Sequence, residues 1–428
     1  MTEARPPQRH VNVTCPFCGL GCDDLEINVD ASGVRVEANG CPISNPAFAR
    51  SERDAGRPAI AGRPAPLSDA IARAAAILQR AKAPLIGGLG TDVGGMRAAL
   101  ALAERLGATL DHANGAALQR NTKVLQDSGA ITTTLSEVRN RADVLLFLGG
   151  DVSARFPRFY ERLIERREPL FPQTPRVPDM VFLGGTAPSQ PPADARALVM
   201  SCPQESLGEV INVLRALLRG RTLDAPSVAG IAVETLRDVA TRLKTAHYSV
   251  IVWAAAQLDF PHADLTIAAA AALIKQLNRK TRCAGLPLGG RDGDLTANQV
   301  ATWQTGYPLP VSFARGFPDY DPHRYAGSRV LGRGAADALL WISAFDDAPE
   351  PPATGVPTVV LARAGATLER APDVYIPVAT PGVDHAGDIF RCDGVVALPL
   401  RALRSTELPS VAQALRAIAQ QLGAALPC

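Results

Sequence analysis

Four cysteines near the start of the chain constrain its local fold more than any other feature. They follow the spacing Cys15-x2-Cys18-x3-Cys22-x18-Cys41. The two glycines between Cys18 and Cys22 allow the backbone to turn sharply, so that neighbouring thiolates can converge on one centre. A fourth thiolate from the far end of a short hairpin completes a tetrahedral set. The spacing therefore predicts a metal or cluster site, with disulfides or buried thiols as the alternative.

The kind of metal is less constrained than the site itself. Structural zinc sites usually carry two short pairs of cysteines, whereas here three cysteines share one loop and the fourth stands alone. This arrangement favours a [4Fe-4S] cluster on Cys15, Cys18, Cys22 and Cys41 over a zinc ion. Spacing alone leaves two alternatives for this site: a zinc ion, or reduced thiols without a metal.

The composition is that of a globular protein with a large core. The 428 residues are 47% hydrophobic and carry 44 basic and 42 acidic side chains, which suits two or three domains. A net charge of +2, without a block of like charges, argues against nucleic acid or an anionic membrane as partner. The first residues have no apolar leader and the apolar run at 265–274 is too short to cross a bilayer, so we expect a cytoplasmic protein. The remaining cysteines predict buried small side chains or an exposed terminal thiol: Cys202, Cys283, Cys392 and Cys428.

Continuous apolar runs alternate with segments of helical periodicity through the rest of the chain. Each run is typical of a strand buried on both faces, and they occur at 83–90, 142–150, 178–185, 248–257, 336–348, 358–364 and 373–379. The predicted fold class is therefore α/β, with mostly parallel sheets covered by helices.

The domain prediction has three parts. A segment rich in Pro, Gly and Arg at 53–67 is typical of a linker. We expect a small Cys-rich β unit over 1–55, an α/β lobe over 56–200, and a second α/β lobe over 201–428 with a C-terminal return. The two lobes are allowed to be discontinuous along the chain.

Glycine-rich turns follow three of the apolar runs, at 86–95, 147–152 and 182–187. Glycines just beyond the carboxyl ends of parallel strands leave room for a ligand, especially one that carries phosphate. The first of these turns lacks both the dinucleotide fingerprint and the Walker Lys-Ser/Thr, so ordinary turn chemistry is an equal alternative.

The segment 289–322 carries the most specific resemblance to a known family. It contains the stretch Asn298-Gln299-Val-Ala-Thr-Trp303-Gln304-Thr305-Gly306-Tyr307-Pro308. Together with the segments 136–159 and 382–400, it resembles the B-subunit family of formylmethanofuran dehydrogenase, within the molybdopterin oxidoreductases. The resemblance runs through nearly the whole chain, and it implies a formate dehydrogenase-like fold without the C-terminal β-barrel domain.

In that family, the B subunit holds molybdenum or tungsten on a bis-pterin cofactor beside one [4Fe-4S] cluster, and a cysteine or selenocysteine ligates the metal. Aligning this chain on Leu125-Gln126-Asp127 places Ala117 at the ligand position and Leu118 at the neighbouring histidine. A methyl group cannot ligate a metal, and the sequence has no cysteine between Cys41 and Cys202. The segment after 178–185 also lacks the acidic residue and arginine that such enzymes present to the pterin nucleotide.

With these departures, the chain resembles one branch of the family, the B subunit of the formyltransferase/hydrolase complex of methylotrophic bacteria. The resemblance implies a complex that moves a formyl group from tetrahydromethanopterin onto a furan carrier and hydrolyses it to formate. This chain would then be a non-redox scaffold without molybdopterin, molybdenum or tungsten. Its partners would be a formyltransferase subunit, an amidohydrolase-like subunit and a β-helix subunit similar to the C subunit of the family, with no nucleic acid and no membrane. The alternative is an active Mo/W-pterin and [4Fe-4S] oxidoreductase that interconverts CO2 and formate.

For the stretch 298–308 itself, the sequence predicts a structural role. We expect Trp303 and Tyr307 to be buried between lobes, and Asn298 and Gln299 to satisfy backbone groups.

Overall fold

The computed structural model describes residues 7–50, 56–188, 192, 195–346 and 350–423. Contacts within the chain divide it into two compact units, one formed by Met1–Gly115 with Gly290–Cys428 and the other by Ala116–Gly289. The first unit is discontinuous, as the sequence allowed. The predicted boundary at 200/201 falls inside the second unit, and the boundary at 55/56 adjoins residues outside the described part. The three-part division therefore remains a prediction.

The N-terminal part is the small β unit that the cysteine pattern predicted. Strands β1 (Gln8–Val13), β2 (Leu25–Asp30) and β3 (Gly33–Ala38) form an antiparallel sheet in sequence order. The cysteine loop connects β1 to β2, and helix α1 (Ser44–Phe48) follows β3. Phe17 of the loop packs edge-on against Phe48 with ring centroids 5.1 Å apart, so α1 closes the small core of this unit.

Strands and helices alternate through the rest of the described chain, which confirms the α/β class. The further strands are β4 (Ala59–Ile60), β5 (Arg63–Pro64), β6 (Pro84–Gly90), β7 (Thr109–Leu110), β8 (Val144–Leu148), β9 (Asp179–Leu183), β10 (Ala197–Met200), β11 (Ser227–Val228), β12 (Ile231–Ala232), β13 (Ser249–Ala254), β14 (Cys283–Leu288), β15 (Val311–Ser312), β16 (Asp319–Tyr320), β17 (Ala338–Ser343), β18 (Thr358–Arg363), β19 (Val374–Val378), β20 (Gly387–Phe390) and β21 (Ala397–Leu400). The further helices are α2 (Leu67–Arg80), α3 (Val93–Leu106), α4 (Gly115–Ser128), α5 (Leu135–Arg141), α6 (Leu207–Leu218), α7 (Val233–Thr245), α8 (Ala263–Leu277), α9 (Asp294–Thr305), α10 (Gly327–Gly332) and α11 (Val411–Gln421). Strand β14 was missed by the sequence analysis because Gly285 and Pro287 are residues that strands disfavour.

The first unit is built on one sheet with the order β16-β15-β7-β6-β17-β18-β19-β4-β5. Its five central strands, from β7 to β19 in that order, are parallel. All seven residues of β6 are buried, as a strand covered by helices on both faces requires. Leu78 of α2, Leu100 of α3 and Leu415 of α11 pack with Leu340 and Ile376 of the sheet in one hydrophobic core.

The second unit is built on five parallel strands in the order β10-β9-β8-β13-β14. Helices cover this sheet through Ile211 of α6, Leu243 of α7 and Ile274 of α8, which pack with Leu146 and Val181 in a second core. Each unit is thus a doubly wound sheet with its own core, as the alternating pattern predicted.

Both sheets contain a point where the strand order reverses direction. In the first unit it lies between β6 and β17, and in the second between β8 and β13. In open α/β sheets, ligands bind outside the carboxyl ends of the strands at this point. A cofactor site is therefore expected at the loops that follow these strands.

In the described part of the chain, none of the helices combines the length and the apolar character that crossing a membrane requires.

Candidate metal centre and strand-end crevices

The cysteine loop is a closed, buried turn. The N–H of Cys15 donates to the Cys22 carbonyl at 2.8 Å, which ties the two ends of the loop together. Gly19 and Gly21 adopt φ values of +80° and +63°, a left-handed conformation that a residue with a Cβ rarely takes. The side chains of Cys15, Cys18 and Cys22 are buried, with only 5–6% exposed. The glycines therefore have the role in shaping the loop that the sequence assigned to them.

Cys41 reaches the same unit from the other end of the β2–β3 hairpin. Its N–H donates to the Ser44 hydroxyl at 2.8 Å, and the Ser44 N–H donates to the Cys41 sulfur at 3.3 Å. An N–H aimed at sulfur stabilises a thiolate. Cys41 is half-buried, so it is the most accessible of the four predicted ligands.

The electrostatics of the loop suit a positively charged occupant. Burial raises the pKa of Cys15 well above the ordinary thiol value, and the charges of Cys18, Cys22 and Cys41 raise it further. Burial also raises the pKa of Cys18 to about 11. Thiolates that lie close together in a loop without water repel one another, so the cysteines stay protonated. A bound metal ion would offset this repulsion and favour the thiolates.

The donor chemistry therefore fits a soft metal or an iron–sulfur cluster. In the ranges that the structure describes, however, no group of three or more His, Cys, Asp or Glu side chains is arranged to hold a metal ion. The assignment of Cys15, Cys18, Cys22 and Cys41 as ligands thus stays a prediction.

The segments singled out for their family resemblance cover this loop. A Cβ at Gly19 would lie 2.6 Å from the Cα of Gly290, so the two backbones are in direct contact. A Cβ at Gly21 would lie 2.5 Å from Leu398 and 3.1 Å from Arg391. The start of 289–322 and the hairpin within 382–400 are therefore the walls of the cysteine loop. Sequence analysis missed this convergence because the cysteine loop is hundreds of residues away from both segments.

Buried polar residues surround the reversal point of the first sheet. His112, which follows β7, accepts the N–H of Asn114 at its Nδ1 at 2.9 Å. Its Nε2 lies 3.0 Å from the Asp292 carbonyl, so the hydrogen-bond network assigns the neutral ring with the proton on Nε2. Burial lowers the pKa of His112 to about 4. This histidine therefore holds the backbone of Asp292, which has a left-handed φ of +54°, and is unsuited to act as a base at neutral pH.

Burial disfavours the charged form of two aspartates beside this histidine. Burial raises the pKa of Asp111 to about 7; its Oδ2 accepts the Gly327 N–H at 2.7 Å, whereas its Oδ1 has no partner among the described residues. Burial also raises the pKa of Asp292 to about 7, an effect that Arg291 opposes and Asp346 reinforces. Shifted pKa values cluster at functional sites, so this strand end is a candidate site. No signal in the sequence indicated that either Asp111 or Asp292 would be a buried polar group.

The shift of Asp111 makes stability depend on pH. Because its folded pKa of about 7 exceeds the ordinary value of 3.8, the folded state keeps its proton while the unfolded chain ionises. Stability is thus fully present below pH 3.8 and falls as pH rises towards 7. An asparagine at position 111 cannot ionise. As the pH rises from about 5 to about 8, we therefore expect the free energy of unfolding of Asp111→Asn to fall by about 2–3 kcal/mol less than that of the native protein. Urea unfolding of the variant and of the native chain at the two ends of this pH range measures the difference. Asp388→Asn is the control, because Asp388 is exposed. Parallel curves for Asp111→Asn and the native chain would contradict the prediction.

The reversal point of the second sheet is closed by the protein's own groups. Asp151, just after β8, accepts the Tyr160 hydroxyl at 2.9 Å, and the Gln257 side chain after β13 donates to the Asp151 carbonyl at 2.9 Å. A Cβ at Gly150 would lie 2.8 Å from the Cα of Gly185. The glycines after β8 and β9 therefore serve close backbone packing, which favours the turn alternative over a phosphate cradle.

Helix α4 carries the position at which the family resemblance expects a metal ligand. Ala117 lies in its first turn, half-buried, and packs against the core of the second unit. Leu118 beside it is buried, and further along the helix Arg120 donates to the Ala255 carbonyl at 2.8 Å. Asn121 accepts the Trp253 indole N–H at 2.9 Å. Neither the Ala117 methyl group nor the Leu118 side chain fits a direct ligand to molybdenum or tungsten.

The structure corrects the prediction that Trp303 and Tyr307 are buried. Trp303, in the last turn of α9, is 63% exposed, and Tyr307 is 42% exposed. The physical reason is that α9 ends at Gly306, so both rings lie at the free end of the helix. The companion prediction is confirmed: Asn298 accepts the Leu309 N–H at 3.1 Å and Gln299 donates to the Gly394 carbonyl at 3.2 Å.

The remaining cysteines match their predicted role where they are described. Cys283 and Cys392 are buried, Cys202 is half-buried, and Cys428 lies outside the described residues.

Comparison with known proteins gives matches along most of the chain, although no family model matches it. Over 398 residues it is 29% identical to the B subunit of the tungsten-containing formylmethanofuran dehydrogenase 2 of Methanocaldococcus jannaschii, covering 90% of this chain and 91% of that protein. Over 347 residues it is 30% identical to the B subunit of the formyltransferase/hydrolase complex Fhc of Methylorubrum extorquens, covering 78% of this chain and 87% of that protein.

Solved structures agree with the sequence matches. A chain in the crystal structure of the formyltransferase/hydrolase complex of Methylorubrum extorquens with methylofuran superposes with a TM-score of 0.74 at 28% identity, over 85% of this chain and 98% of that one. Acetylene hydratase from Pelobacter acetylenicus shares the fold, with a TM-score of 0.66 at 12% identity over 97% of this chain and 69% of that one. The family resemblance drawn from the sequence is thereby confirmed. The chain belongs to the B-subunit family of formylmethanofuran dehydrogenase, which includes the B subunit of the bacterial formyltransferase/hydrolase complex.

Proposed function

We propose that this chain is a non-redox scaffold subunit of a cytoplasmic formyltransferase/hydrolase complex in tetrahydromethanopterin-linked one-carbon metabolism. The observation that carries the proposal is Ala117 at the start of α4, where a redox-active relative needs a metal-bound sulfur or selenium. On this proposal, formyl transfer and hydrolysis take place on the formyltransferase and amidohydrolase-like subunits. This chain would supply a folded platform for them and for a β-helix subunit.

Hydrogen bonds within the second unit support the proposal that this chain binds no pterin nucleotide. A bis-pterin cofactor needs several donors placed around its phosphates. Here Asp151 and Gln257, at the sheet reversal point, are bonded to other groups of the same unit. Gly150 and Gly185 lie so close together that neither position has room for a Cβ, as expected for tightly packed turns.

The second candidate is an active oxidoreductase that interconverts CO2 and formate. The tungsten-containing relative from Methanocaldococcus jannaschii, which matches 90% of this chain, favours it. The retained set of four cysteines favours it as well. The side chains at the start of α4 argue against it, because neither Ala117 nor Leu118 can ligate a metal or exchange a proton.

For the cysteine loop we propose a [4Fe-4S] cluster on Cys15, Cys18, Cys22 and Cys41, with a zinc ion or no metal as the alternatives. Four thiolates are the donor set that such clusters use. When bound, the cluster would stabilise the N-terminal unit, because the metal links the β1–β2 loop to the end of β3.

Partner binding is proposed to use the exposed rings of the family stretch. We define the aromatic face as Trp303, Tyr307 and Phe317, which are 63%, 42% and 51% exposed. Trp, Tyr and Arg are enriched at the centres of protein interfaces. The face is held in shape because Tyr307 stacks on Tyr320 at 5.9 Å and Arg315 lies over Phe317 at 5.0 Å.

Analysis of the purified native complex tests the scaffold proposal. We expect molybdenum and tungsten far below one atom per copy of this chain, and no fluorescent oxidised pterin after denaturation. The physical reason is that Ala117, at the position where the family resemblance expects a metal ligand, cannot ligate a metal. The tungsten-containing relative from Methanocaldococcus jannaschii, processed in the same way, is the positive control. Stoichiometric tungsten or molybdenum with pterin would reject the scaffold and favour the oxidoreductase.

A further inference from the structure

The hairpin formed by β20 and β21 is a separate piece of sheet in the first unit. Its two strands pair with each other, and no third strand joins them among the described residues. A two-stranded hairpin is only marginally stable by itself, so this one depends on the groups that pack against it. Ile389 and Phe390 of β20 are 2% and 7% exposed, which shows that such packing is present.

The hairpin touches the cysteine loop at two places. The Cys392 N–H donates to the Gly19 carbonyl at 2.7 Å. A Cβ at Gly21 would lie 2.5 Å from the side chain of Leu398, so this leucine is in direct contact with the loop. The hairpin therefore covers the middle of the loop, between its second and third cysteines.

Helix α9 holds the same hairpin through two hydrogen bonds and one ring contact. Thr296 Oγ1 accepts the Phe390 N–H at 2.9 Å, and the Gln299 side chain donates to the Gly394 carbonyl at 3.2 Å. The Trp303 ring lies edge-on against Phe390, with ring centroids 5.1 Å apart. Thr296, Gln299 and Trp303 are three and four residues apart, so they lie on one side of the helix. We call these three residues the latch.

The bond between Thr296 and Phe390 is the buried part of the latch. Thr296 is 1% exposed, so water does not reach its hydroxyl while the hairpin is in place. A buried N–H that loses its acceptor is destabilised, and it regains a hydrogen bond only when water enters. Removing the Thr296 hydroxyl therefore favours states in which the hairpin has moved away from α9.

We propose that the β20–β21 hairpin is a lid over the cysteine loop, kept closed by the latch on α9. The closed lid shields the loop from water, and the open lid admits water and small solutes while the large sheet of the first unit stays folded. A segment held by a few buried hydrogen bonds opens at a lower free energy than the whole protein unfolds. The lid acts with or without a metal in the loop, so the inference is independent of the proposed cluster.

Thr296→Val in the full-length chain tests the latch, because valine has nearly the shape of threonine and lacks the acceptor for the Phe390 N–H. Thr302→Val is the matched control. It makes the same change on the same helix, but the Thr302 hydroxyl donates to the Asn298 carbonyl within α9. Hydrogen–deuterium exchange, resolved by peptide, measures opening in the hairpin and in residues 15–22, and strand β6 reports on the large sheet.

Thiol alkylation gives a second readout that uses none of the predicted metal ligands. Cys392 lies in the hairpin and is 0% exposed, so it reacts only when the lid opens. Cys283 is 2% exposed and belongs to the second unit, so its alkylation reports on general unfolding.

We expect Thr296→Val to raise the exchange rates of the hairpin and of residues 15–22 by at least about tenfold, which corresponds to about 1.4 kcal/mol. Cys392 should react faster by a similar factor, whereas β6, Cys283 and the whole of Thr302→Val should keep native rates.

Three results would overturn the proposal. Unchanged exchange in the hairpin would show that the latch does not hold it, and faster exchange in the hairpin without a change at 15–22 would show that it does not cover the loop. Equal acceleration of β6 and Cys283 would show that opening is global. If Thr296→Val fails to fold, Gln299→Ala removes the other hydrogen bond of the latch and must give the expected pattern.

Discussion

Replacing Trp303 and Tyr307 together by alanine is expected to weaken the binding of this chain to its partner subunits by at least about 100-fold, because exposed aromatic anchors carry about 2 kcal/mol or more each at interfaces. The free energy of unfolding should change by less than about 1 kcal/mol, as is usual for exposed side chains. Trp303 is 63% exposed and contacts Phe390 edge-on, so removing it opens no closed cavity. Gln304, the residue after Trp303, lines a groove of about 360 Å³ together with Phe313 and Pro318.

The measurement is co-purification with the partner subunits, followed by a binding titration with the isolated chain. Leu265→Ala is the matched control, because Leu265 is 64% exposed but lies on α8 in the second unit. Normal assembly by the Trp303/Tyr307 variant would show that the aromatic face does not contact the partners. A large drop in thermal stability would instead restore the sequence-based prediction that these rings hold the fold together.

Arg167→Met is expected to destabilise the second unit by about 1–3 kcal/mol, the range for leaving a buried hydrogen-bond acceptor without its donor. Arg167 is 1% exposed, although arginine is rarely fully buried. Its guanidinium donates to the carbonyls of Ala142 at 2.9 Å, Val138 at 3.3 Å and Arg176 at 2.6 Å, and also to that of Pro175. A methionine fills the space but leaves the Ala142 carbonyl without this donor, whereas the Val138 carbonyl keeps the Ala142 N–H at 3.2 Å and Pro175 and Arg176 are exposed residues.

Burial lowers the pKa of Arg167 to about 10, so the side chain stays charged at neutral pH and keeps its donors. Thermal unfolding with hydrogen exchange of the second unit measures the loss. Arg166→Met is the control: Arg166 is the preceding residue, its side chain is 58% exposed, and its pairing with Glu161 is at the surface. Equal stability of the two variants would mean that water satisfies the freed carbonyls.

The secondary structure followed closely from local pattern. Runs such as 142–150 and 178–185 became β8 and β9, because a strand covered on both faces must be apolar throughout. Elements without such a pattern were missed: β14 contains Gly285 and Pro287, and the edge strand β10 is partly exposed. Their place in the sheet comes from pairing with neighbours, which local sequence does not encode.

The candidate site was foreseen only in part. Spacing predicted that Cys15, Cys18, Cys22 and Cys41 belong together, because ligands close in sequence are close in space. Cys392 was predicted to be a buried small side chain, and nothing in its local sequence places it against Gly19. Trp303 was expected to be buried between the lobes, yet it is 63% exposed at the end of α9.

The sequence by itself determined the α/β class, the turn of the cysteine loop and the family, because each depends on residue identity or on spacing along the chain. That Ala117 stands in place of a metal ligand stays a prediction. Only the tertiary structure decided which buried groups meet: His112 against the Asp292 carbonyl, Gly150 against Gly185, and Cys392 beside the cysteine loop. These contacts join segments brought together by sheet order and chain crossover. Burial and contact between distant segments are properties of packing, so they set the pKa values, the exposed rings and the closed crevice of this protein.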